Sequence, residues 1–254
     1  MSTPHPPAAK PSLWIVLPAY NEAANIARVV AGVRAQTFPG VTMTVVVVDD
    51  GSRDDTARLA TEAGAVVLRH ERNRGVGAGF RTGLEAARAA GVDFLAHMDS
   101  DGQFHAEDLP RVVAPVVAGE CDLALGSRFV PGVPTPPNLA RWKATALHLV
   151  ARGVGLATGS HLTDLSCGIR CMNRRMIEQI SPTFDYDYIQ ETLVQAVAAR
   201  ARICDVPVTP IYGEEGNTGM SGRTFRYGRR FLGLTAFSLW QFYRQRAKEL
   251  LSAR

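Results

Sequence analysis

Thr42-Met43-Thr44-Val45-Val46-Val47-Val48-Asp49-Asp50-Gly51-Ser52 is the stretch that decides the fold. Residues 42–48 are too uniformly apolar and β-branched for a half-exposed strand, whose two faces would alternate. Such a run belongs inside a sheet covered on both faces, as parallel strands are. It stops abruptly on two carboxylates, a glycine and a serine, residues that favour a turn. In open α/β sheets ligands bind at the carboxyl ends of the strands, so this turn is also a candidate binding edge.

The same rhythm extends on both sides. Leu13–Pro18 reads as a strand, followed by an alanine-rich helix after Asn21. Ala65–Leu68 reads as a shorter strand, a helix follows from near Gly77 to Ala90, and Asp93–Met98 forms the next strand, ending on Asp99-Ser100-Asp101. A helix over Glu107–Ala118 and a strand over Leu123–Leu125 lead to Gly126-Ser127-Arg128. Strands alternating with longer helical stretches predict an α/β fold, a mostly parallel, Rossmann-like sheet flanked by helices. The proline-rich run PGVPTPP marks a break before a helical segment around Asn138–Ala157.

Composition sets the limits. The 254 residues are 46% hydrophobic and 20% charged, ordinary for a globular chain able to bury a substantial core. Residues 1–12 carry four prolines and no apolar run, so they read as a disordered tail rather than a secretory signal. Cys121, Cys167, Cys171 and Cys204 form no CxxC pair and no zinc-ligand spacing, so a reduced, cytoplasmic protein is expected. The formal charge of +4 is unevenly placed: Ser221–Arg254 holds eight Lys or Arg against one Glu, and the rest is net acidic. The apolar run Phe231–Tyr243 inside that segment is shorter than the roughly 20 residues a membrane-crossing helix needs. Residues 221–254 therefore read as a basic amphipathic helical extension, suited to peripheral contact with an anionic membrane.

Three polar clusters carry chemistry. Asp99 and Asp101, one residue apart at a strand end, can face a common hard cation; Mg2+ or Mn2+ suits such oxygen ligands and completes its shell with diphosphate oxygens. Asp49 and Asp50 can accept hydrogen bonds from a nucleotide, while Ser52 or Asp54 can cap the helix that follows. Asn73-Arg74-Gly75-Val76-Gly77-Ala78-Gly79 is a glycine-rich helix entrance whose amides and Arg74 can approach a diphosphate. It is neither a Walker A loop nor, since it does not follow the first strand, a dinucleotide fingerprint.

Taken in order, Pro18-Ala19-Tyr20-Asn21-Glu22, Val48-Asp49-Asp50-Gly51-Ser52, Asn73-x-Gly75, Met98-Asp99-Ser100-Asp101-Gly102-Gln103 and Gly126-Ser127-Arg128 resemble the motifs of family-two glycosyltransferases of the GT-A fold. The likeness continues through Asp164-Leu165-Ser166-Cys167-Gly168-Ile169-Arg170, similar to the family's Asp-x-x-Ser-Gly-Phe-Arg, and through Glu191 and Asp205-Val206-Pro207-Val208. The later motifs look like the dolichyl- and polyprenyl-phosphate mannosyl- or glucosyltransferase branch. That resemblance implies a nucleotide-sugar donor held by Pro18, Tyr20, Glu22, Asp49, Asp50, Asn73, Gly75, Asp99 and Ser100, with the metal on Asp99 and Asp101. It further implies a catalytic set of Asp101, Arg128, Asp164, Arg170 and Glu191, with Arg128 and Arg170 facing acceptor or phosphate.

The organisation expected is a tail over 1–12, a nucleotide-sugar-binding part over 13–130, an acceptor-side part over 131–220 and the basic extension over 221–254. Two departures from the family pattern stand out. Ala106 replaces a proline before Glu107-Asp108, and residues 212–221 lack a lysine that often serves the acceptor phosphate, leaving Arg223, Arg226 or other residues to do so. The implied reaction is an inverting transfer of a hexose, from a GDP-mannose or UDP-glucose type donor, to a polyprenyl phosphate. An anionic phosphate needs no general base, whereas a sugar hydroxyl acceptor needs a carboxylate, for which Glu191 or Asp164 is available unless helix capping or an ion pair with Arg170 or Arg174 occupies it. A nucleotidyltransferase would carry a basic glycine-rich loop directly after the first strand, where Ala19-Tyr20-Asn21-Glu22 stands. A nucleic-acid-binding module would leave the acidic strand ends unexplained, so no nucleic-acid partner is expected.

Overall fold

The computed structural model describes residues 9–130, 141–158, 161–183 and 188–209, together with 240, 243 and 244. Seven strands form one sheet: β1 (Ser12–Ala19), β2 (Thr42–Asp49), β3 (Val66–Arg69), β4 (Phe94–His97), β5 (Leu123–Ser127), β6 (Arg170–Asn173) and β7 (Ile203–Pro207). Their spatial order is β3-β2-β1-β4-β6-β5-β7. All run the same way except β6, which is antiparallel to both β4 and β5. The α/β, mostly parallel GT-A-type architecture expected from the sequence is the architecture found.

Helices cover both faces, as the fully buried run Val45–Val48 requires. On one face α1 (Ile26–Arg34) and α4 (Leu109–Val117) pack on Leu13, Ile15, Leu17, Val45, Val47 and Ala96. On the other, α3 (Val76–Ala89), α5 (Arg141–Thr158), α6 (Arg174–Gln179) and α7 (Tyr188–Ala198) contribute to a cluster around Val16, Val46, Val48, Leu95 and Leu123. Alternate residues of β1 and β2 thus belong to opposite clusters, which is why neither strand shows a polar face. The remaining helix, α2 (Thr56–Glu62), leads into β3, and Asp54 rather than Ser52 accepts its first amide, Thr56 N–H to Oδ1 at 3.1 Å.

The helix expected over Glu107–Ala118 starts with a 3-10 turn at Ala106–Asp108, so alanine in place of proline does not abolish the helix start. Asp108 then accepts from the Thr209 amide at 3.0 Å and pins the chain leaving β7.

One expectation is corrected. Cys121 and Cys204 form a disulfide, with Cα atoms 6.1 Å apart, where a chain of free thiols was expected. Their 83-residue separation hides the pairing in the sequence; the parallel alignment of β5 with β7, which sets Ala124 beside Cys204, brings them together. Cys167 and Cys171 are free and buried, and burial pushes the Cys167 thiol up to about 12. Among the described residues no helix is long and apolar enough to cross a membrane. Residues 221–254, apart from 240, 243 and 244, and residues 1–8 lie outside the described residues, and with them most of the expected extension and tail.

Candidate active site

Because β1, β2, β4 and β5 share one direction, their carboxyl ends bring residues 18–22, 49–52, 98–101 and 127–128 to one edge of the sheet. The antiparallel β6 begins at that edge, so the segment Asp164–Arg170 enters there as well. This edge is where an open α/β sheet takes its ligand.

The first two loops are fastened to each other. The Asn21 amide donates to Ser52 Oγ at 2.9 Å, the Glu22 amide to Thr56 Oγ1 at 2.8 Å, and the Arg53 amide to Asn21 Oδ1 at 2.9 Å. Asn21 is held at φ 54°, and Gly51 at φ 73°, where a side chain would also meet the backbone of Arg72 and Asn73 at 2.5–2.8 Å. Tyr20 remains 41% exposed at the loop's outer side.

Both aspartates after β2 are buried. Asp49 accepts from the Ser52 amide at 3.0 Å and pairs with Arg69 Nε at 3.0 Å. Asp50 accepts from the amides of Arg74 at 2.9 Å and Gly75 at 2.7 Å, and its Oδ1 lies 2.7 Å from His70 Nδ1. His70 Nε2 in turn lies 2.8 Å from Thr82 Oγ1. Asp50 therefore shapes the glycine-rich loop from within: Gly75, at φ 96°, turns its amide inward while Asn73 and Arg74 stay exposed.

After β4, Ser100 is buried with its hydroxyl donated to the Pro18 carbonyl at 2.6 Å, which ties two strand ends together. Its two neighbours differ in exposure. Asp101 is exposed and accepts from the Gln103 amide at 2.9 Å. Asp99 keeps about a third of its side chain at the surface. Loss of hydration first, then repulsion from Asp101, pushes the Asp99 carboxyl up to about 7 against the opposing pull of Arg170 and Arg128. Asp101 is raised mainly by loss of hydration. Glu22 is also raised, by burial and then by the nearby charges of Asp101 and Asp54, which places it in the same acidic field.

Beneath these carboxylates lies a buried polar layer that the sequence did not disclose. His97 Nε2 is 3.1 Å from the Tyr188 hydroxyl and 3.9 Å from Asp99 Oδ1. Burial, helped by the Arg170 charge, takes its pKa down to about 3, so the ring is neutral. Phe80 packs against both His97 and Tyr188, with ring centroids at 5.2 and 4.9 Å. A histidine directly before an acidic strand end was the available signal for this layer.

The catalytic candidates are placed unequally. Arg128, its side chain largely enclosed, grips Asp164 through Nε to Oδ2 at 2.7 Å and Nη2 to Oδ1 at 3.0 Å, and Nη2 also donates to Ser166 Oγ at 2.7 Å. Asp164 thus pairs with Arg128 rather than with Arg170 or Arg174. Arg170, expected to face acceptor or phosphate, is instead buried, donating to the Cys167 carbonyl at 3.0 Å and the Ile189 carbonyl at 3.3 Å over the Tyr188 ring. It starts β6, the strand wedged between β4 and β5, and strand pairing encloses it there. Its charge still acts on Asp99 from below. Glu191, in the first turn of α7, accepts from the Thr183 amide at 2.6 Å and hydroxyl at 2.9 Å, tying that helix to the segment before it.

An α/β sheet of this topology with acidic turns at its carboxyl edge defines the GT-A class of glycosyltransferase. The profile described as Glycosyl transferase family 2 matches residues 14–181, and the chain belongs to that family. It is 32% identical over 225 residues to the polyprenol monophosphomannose synthase of Mycolicibacterium smegmatis, covering 84% of this chain and 82% of that one. It is 26% identical over 228 residues to the UDP-N-acetylglucosamine--dolichyl-phosphate N-acetylglucosaminyltransferase of Methanococcus voltae, covering 80% and 86%. Among solved structures, glucosyl-3-phosphoglycerate synthase from Mycobacterium tuberculosis in complex with UDP shares the fold, with TM-score 0.63, 22% identity and coverage of 91% of this chain and 80% of that chain. These relatives include the polyprenyl-phosphate branch that the later motifs resemble.

Proposed function

We propose that the protein transfers a hexose from a nucleotide sugar, of the GDP-mannose or UDP-glucose type, to a polyprenyl phosphate with inversion at the anomeric carbon. The observation that carries this reading is the state of the two carboxylates available as a general base. Asp164 is committed to Arg128, and Glu191 accepts two hydrogen bonds from Thr183. A hydroxyl acceptor needs a base to take its proton; a phosphate acceptor is already anionic and does not. The names of the two relatives, a polyprenol monophosphomannose synthase and a dolichyl-phosphate transferase, agree with such an acceptor.

A divalent cation fits the residues present. Asp99 and Asp101 repel each other and have raised pKa values, a tension that a shared cation relieves. Mg2+ needs only one or two carboxylates when donor phosphates supply further ligands. Asp99 and Asp101 would hold Mg2+ or Mn2+, which when bound neutralises charge growing on the departing nucleoside diphosphate. Mn2+ and UDP occur together in a solved complex of glucosyl-3-phosphoglycerate synthase.

The chain's own groups have distinct parts in this reading. Tyr20 and Glu22 line the nucleotide end, Asp49 braces the turn behind them through Arg69 and the Ser52 amide, and Asp50 presents Asn73 and the Gly75 turn to the donor. Ser100 and Pro18 hold two of the strand ends in register. Arg128, oriented by Asp164 and Ser166, receives the acceptor anion, while Arg170 supports Asp99 from beneath. With donor and acceptor on opposite sides of the anomeric carbon, a single displacement inverts its configuration.

The test supplies GDP-mannose or UDP-glucose with a short-chain polyprenyl phosphate, with Mn2+ and with chelator. The expected product is a cation-dependent glycosyl phospholipid of inverted configuration. Transfer to soluble hydroxyl acceptors alone would overturn the lipid-phosphate assignment and leave the glycosyltransferase class standing.

A further inference from the structure

Gly168 lies in the acceptor-side segment that leads to β6, yet its missing side chain concerns the opposite half of the site. A methyl group built on Gly168 would overlap the Asp99 carboxylate, meeting Oδ2, Cγ and, at 3.0 Å, Oδ1. All three nearest atoms belong to that one carboxylate. The space that a side chain at position 168 would fill is therefore occupied by the head of Asp99. Gly168 is not in the left-handed region among the positive-φ glycines, so its backbone conformation does not itself require glycine. The close approach does.

The segment cannot easily yield. The Gly126 amide donates to the Ile169 carbonyl at 2.9 Å, Arg170 Nη2 donates to the Cys167 carbonyl at 3.0 Å, and Asp164 and Ser166 are held by Arg128. Cys167, Gly168, Ile169 and Arg170 are all buried. Asp99 also stands near the His97 ring, whose Nε2 is 3.9 Å from Oδ1, and that ring lies against the Gly168 backbone as well. A close-packed interior transmits such an overlap instead of absorbing it, and the part able to move is the partly exposed carboxylate.

We propose that Gly168 is a positioning residue for the cation-binding carboxylate: by having no side chain it lets the Asp99 head seat against the acceptor-side segment. This rests on the assignment of Asp99 and Asp101 to a divalent cation. The same seven-residue segment thereby holds Arg128, through Asp164, and Asp99, through Gly168, so one piece of chain positions both charged groups.

The experiment measures Mn2+ binding to the full chain by electron paramagnetic resonance, with and without UDP or GDP, for Gly168→Ala, Asp99→Ala and the double variant, with thermal unfolding of each. Gly168→Ala is expected to weaken Mn2+ binding at least tenfold, in a protein that still unfolds cooperatively, and to raise the Mn2+ concentration needed for half-maximal transfer. Adding Gly168→Ala to Asp99→Ala is expected to change Mn2+ binding no further, because the carboxylate that the methyl displaces is gone. Should Gly168→Ala fail to fold, the double variant is expected to fold, since its overlap is relieved. Normal Mn2+ affinity in Gly168→Ala beside weakened affinity in Asp99→Ala overturns the positioning role alone. So does a double variant that stays unfolded, or one that binds Mn2+ more weakly than Asp99→Ala. Unchanged Mn2+ affinity in Asp99→Ala overturns the cation assignment, and the positioning role with it.

Discussion

Arg128 and Asp164 form a two-point ion pair, Nε to Oδ2 at 2.7 Å and Nη2 to Oδ1 at 3.0 Å, with the Asp164 side chain fully enclosed. A carboxylate so placed orients a cation and has little freedom to accept a proton from a substrate. Removing one member of a buried pair leaves the other uncompensated and costs about 3–5 kcal/mol. Asp164→Ala is therefore expected to lose transfer and stability together, its Tm falling by about 2–4 °C per kcal/mol for a chain of this size. Calorimetric unfolding beside the transfer assay checks it; lost transfer at unchanged Tm would restore Asp164 as a base.

Asp99 makes the cation site sensitive to pH. Its carboxyl, pushed up to about 7 by burial and by Asp101, is largely protonated below that value, and a cation must then displace the proton. Mn2+ affinity is expected to rise with pH and level off above about 7, falling toward about tenfold per pH unit on the acid side. Calorimetry in buffers of different ionisation enthalpy would detect the released proton. The stability effect has the opposite sense: a raised carboxyl pKa favours the fold below the unfolded value and loses that contribution as pH rises through the folded one. Asp99→Asn should therefore raise the cation-free Tm relative to the parent at pH 8, by an amount that shrinks toward pH 5.

The strand ends were legible because period and composition report them: a fully apolar run such as Val45–Val48, stopped by Asp49-Asp50-Gly51, marks both a central strand and its ligand-facing end. Tertiary pairing was not legible. β6 has only four residues, Arg170–Asn173, and its antiparallel insertion between β4 and β5 leaves no local signal. That insertion buries Arg170, which the motif alone presented as a ligand contact. Gly168 and the His97–Tyr188 contact depend on residues 69 and 91 positions apart, distances over which sequence periodicity carries no information. Asp50 was legible as important, but its partners, His70 and the amides of Arg74 and Gly75, give it a structural role as well as any contact with donor.

His70 supports Asp50 from behind, so the two should act as a unit. Asp50→Ala is expected to weaken nucleoside diphosphate binding by roughly 1.5–3 kcal/mol, the range for a hydrogen bond to a charged group, or about ten- to hundredfold. His70→Ala removes the 2.7 Å contact to Asp50 and the 2.8 Å contact to Thr82. It should weaken the same binding without touching ligand, and the double variant should lose less than the sum of the two. Additive losses in calorimetry would show that His70 serves the fold alone.

The basic extension supplies the last prediction. Arg223, Arg226, Arg229 and Arg230 precede the apolar run Phe231–Tyr243, and Arg244, Arg246 and Lys248 follow it. Among the described residues of this region, Trp240 and Tyr243 are about half exposed, and the Arg244 guanidinium stands 5.2 Å from the Trp240 ring centroid. An exposed aromatic beside a cation suits the headgroup layer, where each basic residue contributes roughly 1 kcal/mol near an anionic surface. A helix of thirteen residues would extend about 20 Å, enough to lie in the interface and too short to cross it. Binding to anionic vesicles is therefore expected at low salt, to weaken as salt screens the charges, and to be lost when Arg226, Arg229 and Arg230 become Ser. Transfer to a short water-soluble polyprenyl-phosphate analogue should survive that change where the three arginines serve the membrane alone. Flotation with vesicles of graded phosphatidylglycerol content, beside the transfer assay, separates the two effects. A triple variant that still floats would move the membrane contact elsewhere, and one that loses soluble transfer as well would place these arginines at the acceptor phosphate.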